Sequence, residues 1–99
     1  MANLLGIKCG ATRTVALFEQ TDAVKRAEFG PANIRLLSDR QLAAHLRKIA
    51  KVFSLPEAVA IGMAGARTPI DQRRLHKAIS KAWPKASHIH ATNDLETAL

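Results

Sequence analysis

The sequence predicts one α/β domain, a mixed five-stranded sheet in the order 3-2-1-4-5 with helices packed on it. Residues 3–28 read as three short strands joined by tight polar turns, and two later segments repeat apolar residues at helical spacing, each followed by a short apolar run. Strands joined by tight turns pair as neighbours, and right-handed crossovers then carry the chain to the far side of the first strand. Strands 1, 4 and 5 should therefore be parallel, with strand 2 antiparallel to them. The 99 residues make one domain, because a single core of this size already buries most of what it can.

Each element has its own signal. From Asn3 to Cys9, Leu5, Ile7 and Cys9 fall on one face and Leu4, Gly6 and Lys8 on the other, which suits a mostly buried strand. Gly10-Ala11-Thr12 supplies a turn, and Arg13 to Glu19 carries the Val-Ala-Leu-Phe run of a second strand. After Gln20-Thr21-Asp22, the charged stretch Ala23 to Glu28 reads as an edge strand. Gly30-Pro31-Ala32-Asn33 breaks the pattern.

Ser38-Asp39-Arg40-Gln41 fits a capping box, so a helix should begin there, burying Leu42, Leu46, Ile49, Ala50 and Phe53 and ending before Pro56. Ala58 to Met63 is the continuous apolar run of a central strand. Thr68-Pro69-Ile70-Asp71 places a capping threonine, a first-turn proline and a dipole-favoured acid before the stripe Leu75, Ala78, Ile79 and Ala82, and Pro84 ends that helix. Trp83 should plug the end of the stripe. Ser87 to Ala91 reads as the last strand, Asn93 as a cap and Asp94 to Leu99 as a short third helix.

Composition removes several function classes. The chain is 47% hydrophobic and 23% charged, the profile of a folded domain. Its longest apolar run, Ala58 to Ala66, is too short to cross a bilayer, and its amino end has no basic n-region, which predicts a cytoplasmic protein without a membrane partner. Cys9 has no second cysteine for a disulfide, and no third ligand accompanies His88 and His90 on their strand. His45 and His76 read as solvent or boundary residues of the helices. The net charge of +7 concentrates between Arg40 and Lys51 and between Arg67 and Lys85, where Trp83 is the one aromatic and reads as part of the apolar stripe rather than as a base-stacking side chain. These stretches read as solvated helix faces rather than as a nucleic-acid site.

The segment Leu5-Gly6-Ile7-Lys8-Cys9-Gly10-Ala11-Thr12-Arg13-Thr14 resembles the first phosphate-binding hairpin of the N-acetylglucosamine kinase and BadF-type ATPase family, within the actin-like ATPase and sugar kinase superfamily. That motif usually runs Gly-Ile-Asp-Gly-Gly-Gly-Thr-Lys-Thr. Gly30-Pro31-Ala32-Asn33, Gly62-Met63-Ala64-Gly65-Ala66, Thr68-Pro69 and Asn93-Asp94-Leu95-Glu96-Thr97-Ala98-Leu99 follow in the family's order and at about its spacing, so the resemblance covers the whole chain.

The resemblance implies a ribonuclease-H-like, actin-like lobe, with the partner carboxyl-terminal lobe absent from this chain. It implies ATP, Mg²⁺ and an amino sugar as ligands of an intact parent. Gly10, Ala11, Thr12 and Arg13 would cradle phosphates, Asn33, Gly65 and Asn93 would face the sugar, and Asp94 would be the base that accepts the sugar hydroxyl's proton. In the family an aspartate at the end of the first strand holds Mg²⁺ through water. Here Lys8 stands at that position, and an ammonium repels a cation. No metal ligand is therefore assigned.

Two functions stay open: the amino-terminal lobe of an ATP-dependent amino-sugar kinase or ATPase, inactive as this chain alone, or a catalytically dead kinase-derived domain that binds sugar or a partner. Lys8 is the feature that separates them. An uncovered lobe face and sheet edge also predict a homodimer. A small basic nucleic-acid-binding domain is the nearest outsider, and it lacks the cleft carboxylates that two metals would need.

Overall fold

The computed structural model describes residues 3–93. Its elements are β1 (Leu4–Cys9), β2 (Thr14–Gln20), β3 (Ala23–Phe29), a single 3₁₀ turn (Ile34–Leu36), α1 (Asp39–Val52), β4 (Ala58–Met63), α2 (Pro69–Ala82) and β5 (His88–Asn93). The five strands form one sheet in the order β3-β2-β1-β4-β5. β1 pairs antiparallel with β2 and parallel with β4, β2 pairs antiparallel with β3, and β4 pairs parallel with β5. The mixed α/β architecture and strand order are those expected from the sequence.

Strand alternation sorts the sheet into two unlike faces. Leu5, Ile7 and Cys9 lie in register with Phe18, Ala16 and Thr14 on one side and with Val59, Ile61 and Met63 on the other, and all nine are buried. Both helices cover this face, α1 through Leu42, Leu46 and Ile49 and α2 through Leu75 and Ile79. The opposite face carries Leu4, Gly6, Ala58 and Ala60, with Lys8, His88 and His90 exposed, and no helix covers it among the described residues. None of the described helices is long and apolar enough to cross a membrane.

The helices start and stop where their caps dictate. Ser38 accepts from the Gln41 amide while the Gln41 side chain accepts from the Ser38 amide, and Thr68 accepts from the Asp71 amide with Pro69 in the first turn. At the other ends, buried Trp83 donates its indole N–H to the Phe53 carbonyl at 2.8 Å, joining the two helix C-termini. Trp83 thus plugs the stripe as expected.

Two readings change. β5 runs to Asn93 rather than ending at Ala91, because parallel pairing with β4 continues through Thr92 opposite Gly62 and Asn93 opposite Met63. Asn93 is accordingly a strand residue here, not a described helix cap. The 3₁₀ turn after Asn33 has no apolar period to announce it; it forms because the Asn33 side chain accepts from the Arg35 amide at 3.0 Å. The third helix expected from Asp94 lies outside the described residues.

Candidate functional site

Three loops meet at the carboxyl ends of the parallel strands, the edge where open α/β sheets usually bind ligands. The register places Cys9, Met63 and Asn93 side by side on β1, β4 and β5. From that line the chain turns three times. The hairpin after β1 is closed by the Gly10 amide donating to the Arg13 carbonyl at 2.8 Å, and the Ala32 amide donates to the Gly10 carbonyl at 3.1 Å. The Ala64 amide donates to Cys9 at 2.9 Å, and the Ile34 amide donates to Ala64 at 3.0 Å. Hairpin, 30–33 loop and post-β4 turn are therefore one hydrogen-bonded unit, with Asn33 bridged to Ala64.

Gly65 is the tightest point of this unit. Its φ of +86° lies in the left-handed region, and a Cβ there would press into Asn33 Oδ1 with Asn33 Cγ only 3.2 Å away. Arg35 closes the arrangement by donating from Nε to the Gly65 carbonyl at 3.2 Å and from its guanidinium to Asp71 Oδ2 at 3.0 Å. Asn33 and Gly65, which lie far apart in sequence, are thus in direct contact.

The hairpin tip is open. Ala11, Thr12 and Arg13 are exposed and Gly10 is half-buried. Among the described residues the Ala11 and Thr12 amides donate to no backbone carbonyl, so two N–H groups are free to meet an anion. Arg13 leans back toward β3, 3.7 Å from Glu28, whose carboxyl is held below the usual range by the hydrogen bond and charge of Arg26 and then by Arg13. Beside the tip, Ala11, Pro31, Ala32, Asn33, Leu36 and Leu37 line a depression of about 290 Å³. Leu36 is 80% exposed at its rim, and Ile70 is 70% exposed at the start of α2. Asn93 ends β5 two strands from the hairpin, and Asp94 lies outside the described residues.

The donor set does not fit a divalent cation. At the strand end the side chain on offer is the exposed ammonium of Lys8, and no three His, Cys, Asp or Glu residues among those described converge on a point. The edge is instead cationic, with Lys8, Arg13, Arg35 and Arg67 all exposed around the loops. Such a set attracts phosphates or carboxylates through amides and guanidinium groups.

Behind the hairpin lies a contact that the sequence reading missed. Thr14 Oγ1 donates to the Gly30 carbonyl at 2.8 Å, so it accepts from His45 Nε2 at 3.1 Å, which fixes the N–H of the imidazole on Nε2. His45 Nε2 also lies 3.9 Å from Cys9 Sγ. Burial, and then Lys48, lower the His45 pKa, while burial pushes the Cys9 thiol up to about 12. This cysteine is a packed core group, not a nucleophile. The signal was present: His45 sits three residues after Leu42 and four before Ile49, inside the buried stripe of α1. Arg74 was missed too; half-buried on α2, it donates to the Ile34 carbonyl at 2.7 Å, to the Leu37 carbonyl and to Asp39, clamping the 3₁₀ segment against both helices.

Compared with known proteins, the chain matches no family model, and no curated protein matches it.

Proposed function

We propose that this chain is the amino-terminal lobe of an ATP-dependent amino-sugar kinase or BadF-type ATPase, with the ribonuclease-H-like topology of actin-like proteins. The observation that carries the reading is the joining of the hairpin tip, Asn33 and Gly65 into one hydrogen-bonded edge beside the end of β5. The strand order 3-2-1-4-5 supports the same ancestry.

In this reading the Ala11 and Thr12 amides meet the terminal phosphates, and Gly10 keeps the turn tight enough for them to do so. Asn33 spends its carbonyl oxygen on the Arg35 amide and so presents its NH₂ toward the sugar. Asn93 contacts the sugar, and Asp94, the next residue in the sequence, is assigned as the base that takes the proton of its hydroxyl. The exposed Leu36 and Ile70 suit a surface over which a second lobe closes. Mg²⁺ has no described ligand set here, so no step is routed through it. A specific observation favours a second reading: Lys8 at the end of β1 suits a domain that keeps the phosphate or sugar contact without catalysis.

Calorimetric titration with ATP separates these readings from a chain that binds no nucleotide. Millimolar ATP should bind equally in Mg²⁺ and in EDTA, because the Lys8 ammonium supplies the positive charge. Lys8→Asp should weaken binding and make it depend on Mg²⁺. Absence of any heat with ATP, for both proteins and in both buffers, rules out a phosphate-binding hairpin.

A further inference from the structure

The two helices carry a charge pattern that solubility does not explain. α1 and α2 together hold eight Lys and Arg residues and two acids, Asp39 and Asp71, with no glutamate in either. Both acids are already engaged, Asp39 by Arg74 and Asp71 by Arg35. A helix face that serves only to stay hydrated usually alternates its signs, since acid and base four residues apart stabilise the helix while like charges at that spacing destabilise it. Here Arg47 and Lys51, Arg73 and Lys77, and Lys77 and Lys81 are all like-charged pairs at that spacing. Among the described residues none of Arg47, Lys77 and Lys81 has a carboxylate within ion-pair distance; the charges of Lys77 and Lys81 act on Asp39 at the end of the groove only as a weaker addition to its pairing with Arg74.

These cations wall a groove. Two depressions, of about 110 and 220 Å³, share Ala43, Ala78 and Lys81 and so run together between the helices on the side away from the sheet. Their floor is Leu42 with the methyl groups of Ala43, Ala78 and Ala82; Lys77 and Lys81 stand on one side and Arg47 on the other. From Asp39 to Arg47 the groove runs about 12 Å along α1, at 1.5 Å per residue. That length takes about four residues of extended chain.

We propose that this groove docks an acidic peptide segment of a partner protein, with carboxylates on Arg47, Lys77 and Lys81 and small apolar side chains on the alanine floor. Charge complementarity selects the sign of the partner, and the floor selects its class. A nucleic acid would leave the apolar floor without an occupant and would find no aromatic side chain here to stack on. The surface is distinct from the loop edge described above, as it lies on the helices rather than at the strand ends, and only Asp39 and Arg74 at its end reach the 3₁₀ segment.

Fluorescence anisotropy tests this with a labelled peptide alternating glutamate and alanine, titrated with the whole chain at low salt. Micromolar binding is expected. Lys77→Glu with Lys81→Glu should weaken it about tenfold or more, while Lys25→Glu with Arg26→Glu on β3, an equal change in net charge, should alter it less than about twofold. Ala78→Met changes no charge and fills the floor, and it should weaken binding several-fold. All four positions chosen for charge reversal are exposed, and circular dichroism of each variant checks that it is folded. The proposal is overturned if the β3 pair costs as much as the α2 pair, if Ala78→Met has no effect, if the peptide does not bind, or if oligo-dT of equal charge binds more tightly than the peptide.

Discussion

Replacing Gly65 by alanine isolates the contact on which the loop edge depends. At φ +86° a residue with a Cβ loses about 1–2 kcal/mol from its own backbone conformation. The new methyl also drives into Asn33 Oδ1, so the Asn33 side chain must leave the Arg35 amide, a hydrogen bond worth about 1 kcal/mol. The sum is about 2–3 kcal/mol, or a fall in thermal midpoint of roughly 10–20 °C for a domain of this size. Urea unfolding followed by Trp83 fluorescence measures the loss. Gly30→Ala is the internal control, because its Cβ would meet nothing within 4 Å, and it should change stability by no more than about 1 kcal/mol. The mechanism also predicts coupling. On an Asn33→Ala background the clash is gone, so Gly65→Ala should cost about 1 kcal/mol less than it does in the parent. Equal losses for Gly65→Ala and Gly30→Ala, or strict additivity with Asn33→Ala, would refute the reasoning.

Three further outcomes follow from half-buried His45 and from buried Cys9 and Trp83. The folded state holds the His45 pKa below its unfolded value of 6.5, so the unfolded chain binds more protons as the pH drops; stability should be fully present above about pH 6.5 and decline as pH falls below it, and His45→Gln should flatten that decline in urea titrations. Cys9, with its pKa pushed up to about 12, should resist a thiol-reactive disulfide reagent at pH 8 in the native state and react promptly in urea; fast native labelling would mean that β1 opens at its end. Trp83→Phe strands the Phe53 carbonyl in the core and should cost about 2 kcal/mol or more in chemical denaturation, against a near-neutral result if the indole N–H contributes nothing.

What the sequence made legible was whatever repeats or caps locally. The alternation Leu5, Ile7, Cys9 sets β1, the Ser38 and Thr68 caps set both helix starts, and the tight turns set the strand order. Gly10 to Arg13 could be placed at a turn because small residues mark one. Contacts between distant segments left no such trace. Nothing in the spacing of Asn33 and Gly65 announces that one side chain abuts the other's Cα, and Arg35 and Arg74 read as solvated cations until folding brings Asp71, Asp39 and the 3₁₀ carbonyls to them. His45 lay between the two cases. Its position in the α1 stripe was periodic, but its partner Thr14 is set by the sheet register. The last strand reads as ending at Ala91 because Asn93 has the chemistry of a helix cap, and only pairing with β4 carries the strand on through Thr92 and Asn93.

The central claim is that the hairpin tip, Asn33 and Gly65 form one polyphosphate- and sugar-facing edge. Amide chemical shifts of the nitrogen-15-labelled chain, recorded while ATP and then N-acetylglucosamine are added, test it most directly. The account predicts that ATP moves Gly10, Ala11, Thr12 and Arg13 first, that the sugar moves Asn33, Gly65 and Asn93, and that the α1 and α2 faces stay still during the sugar titration. Shifts confined to the cationic helices with ATP, and none at any of these loop residues with either ligand, would contradict it.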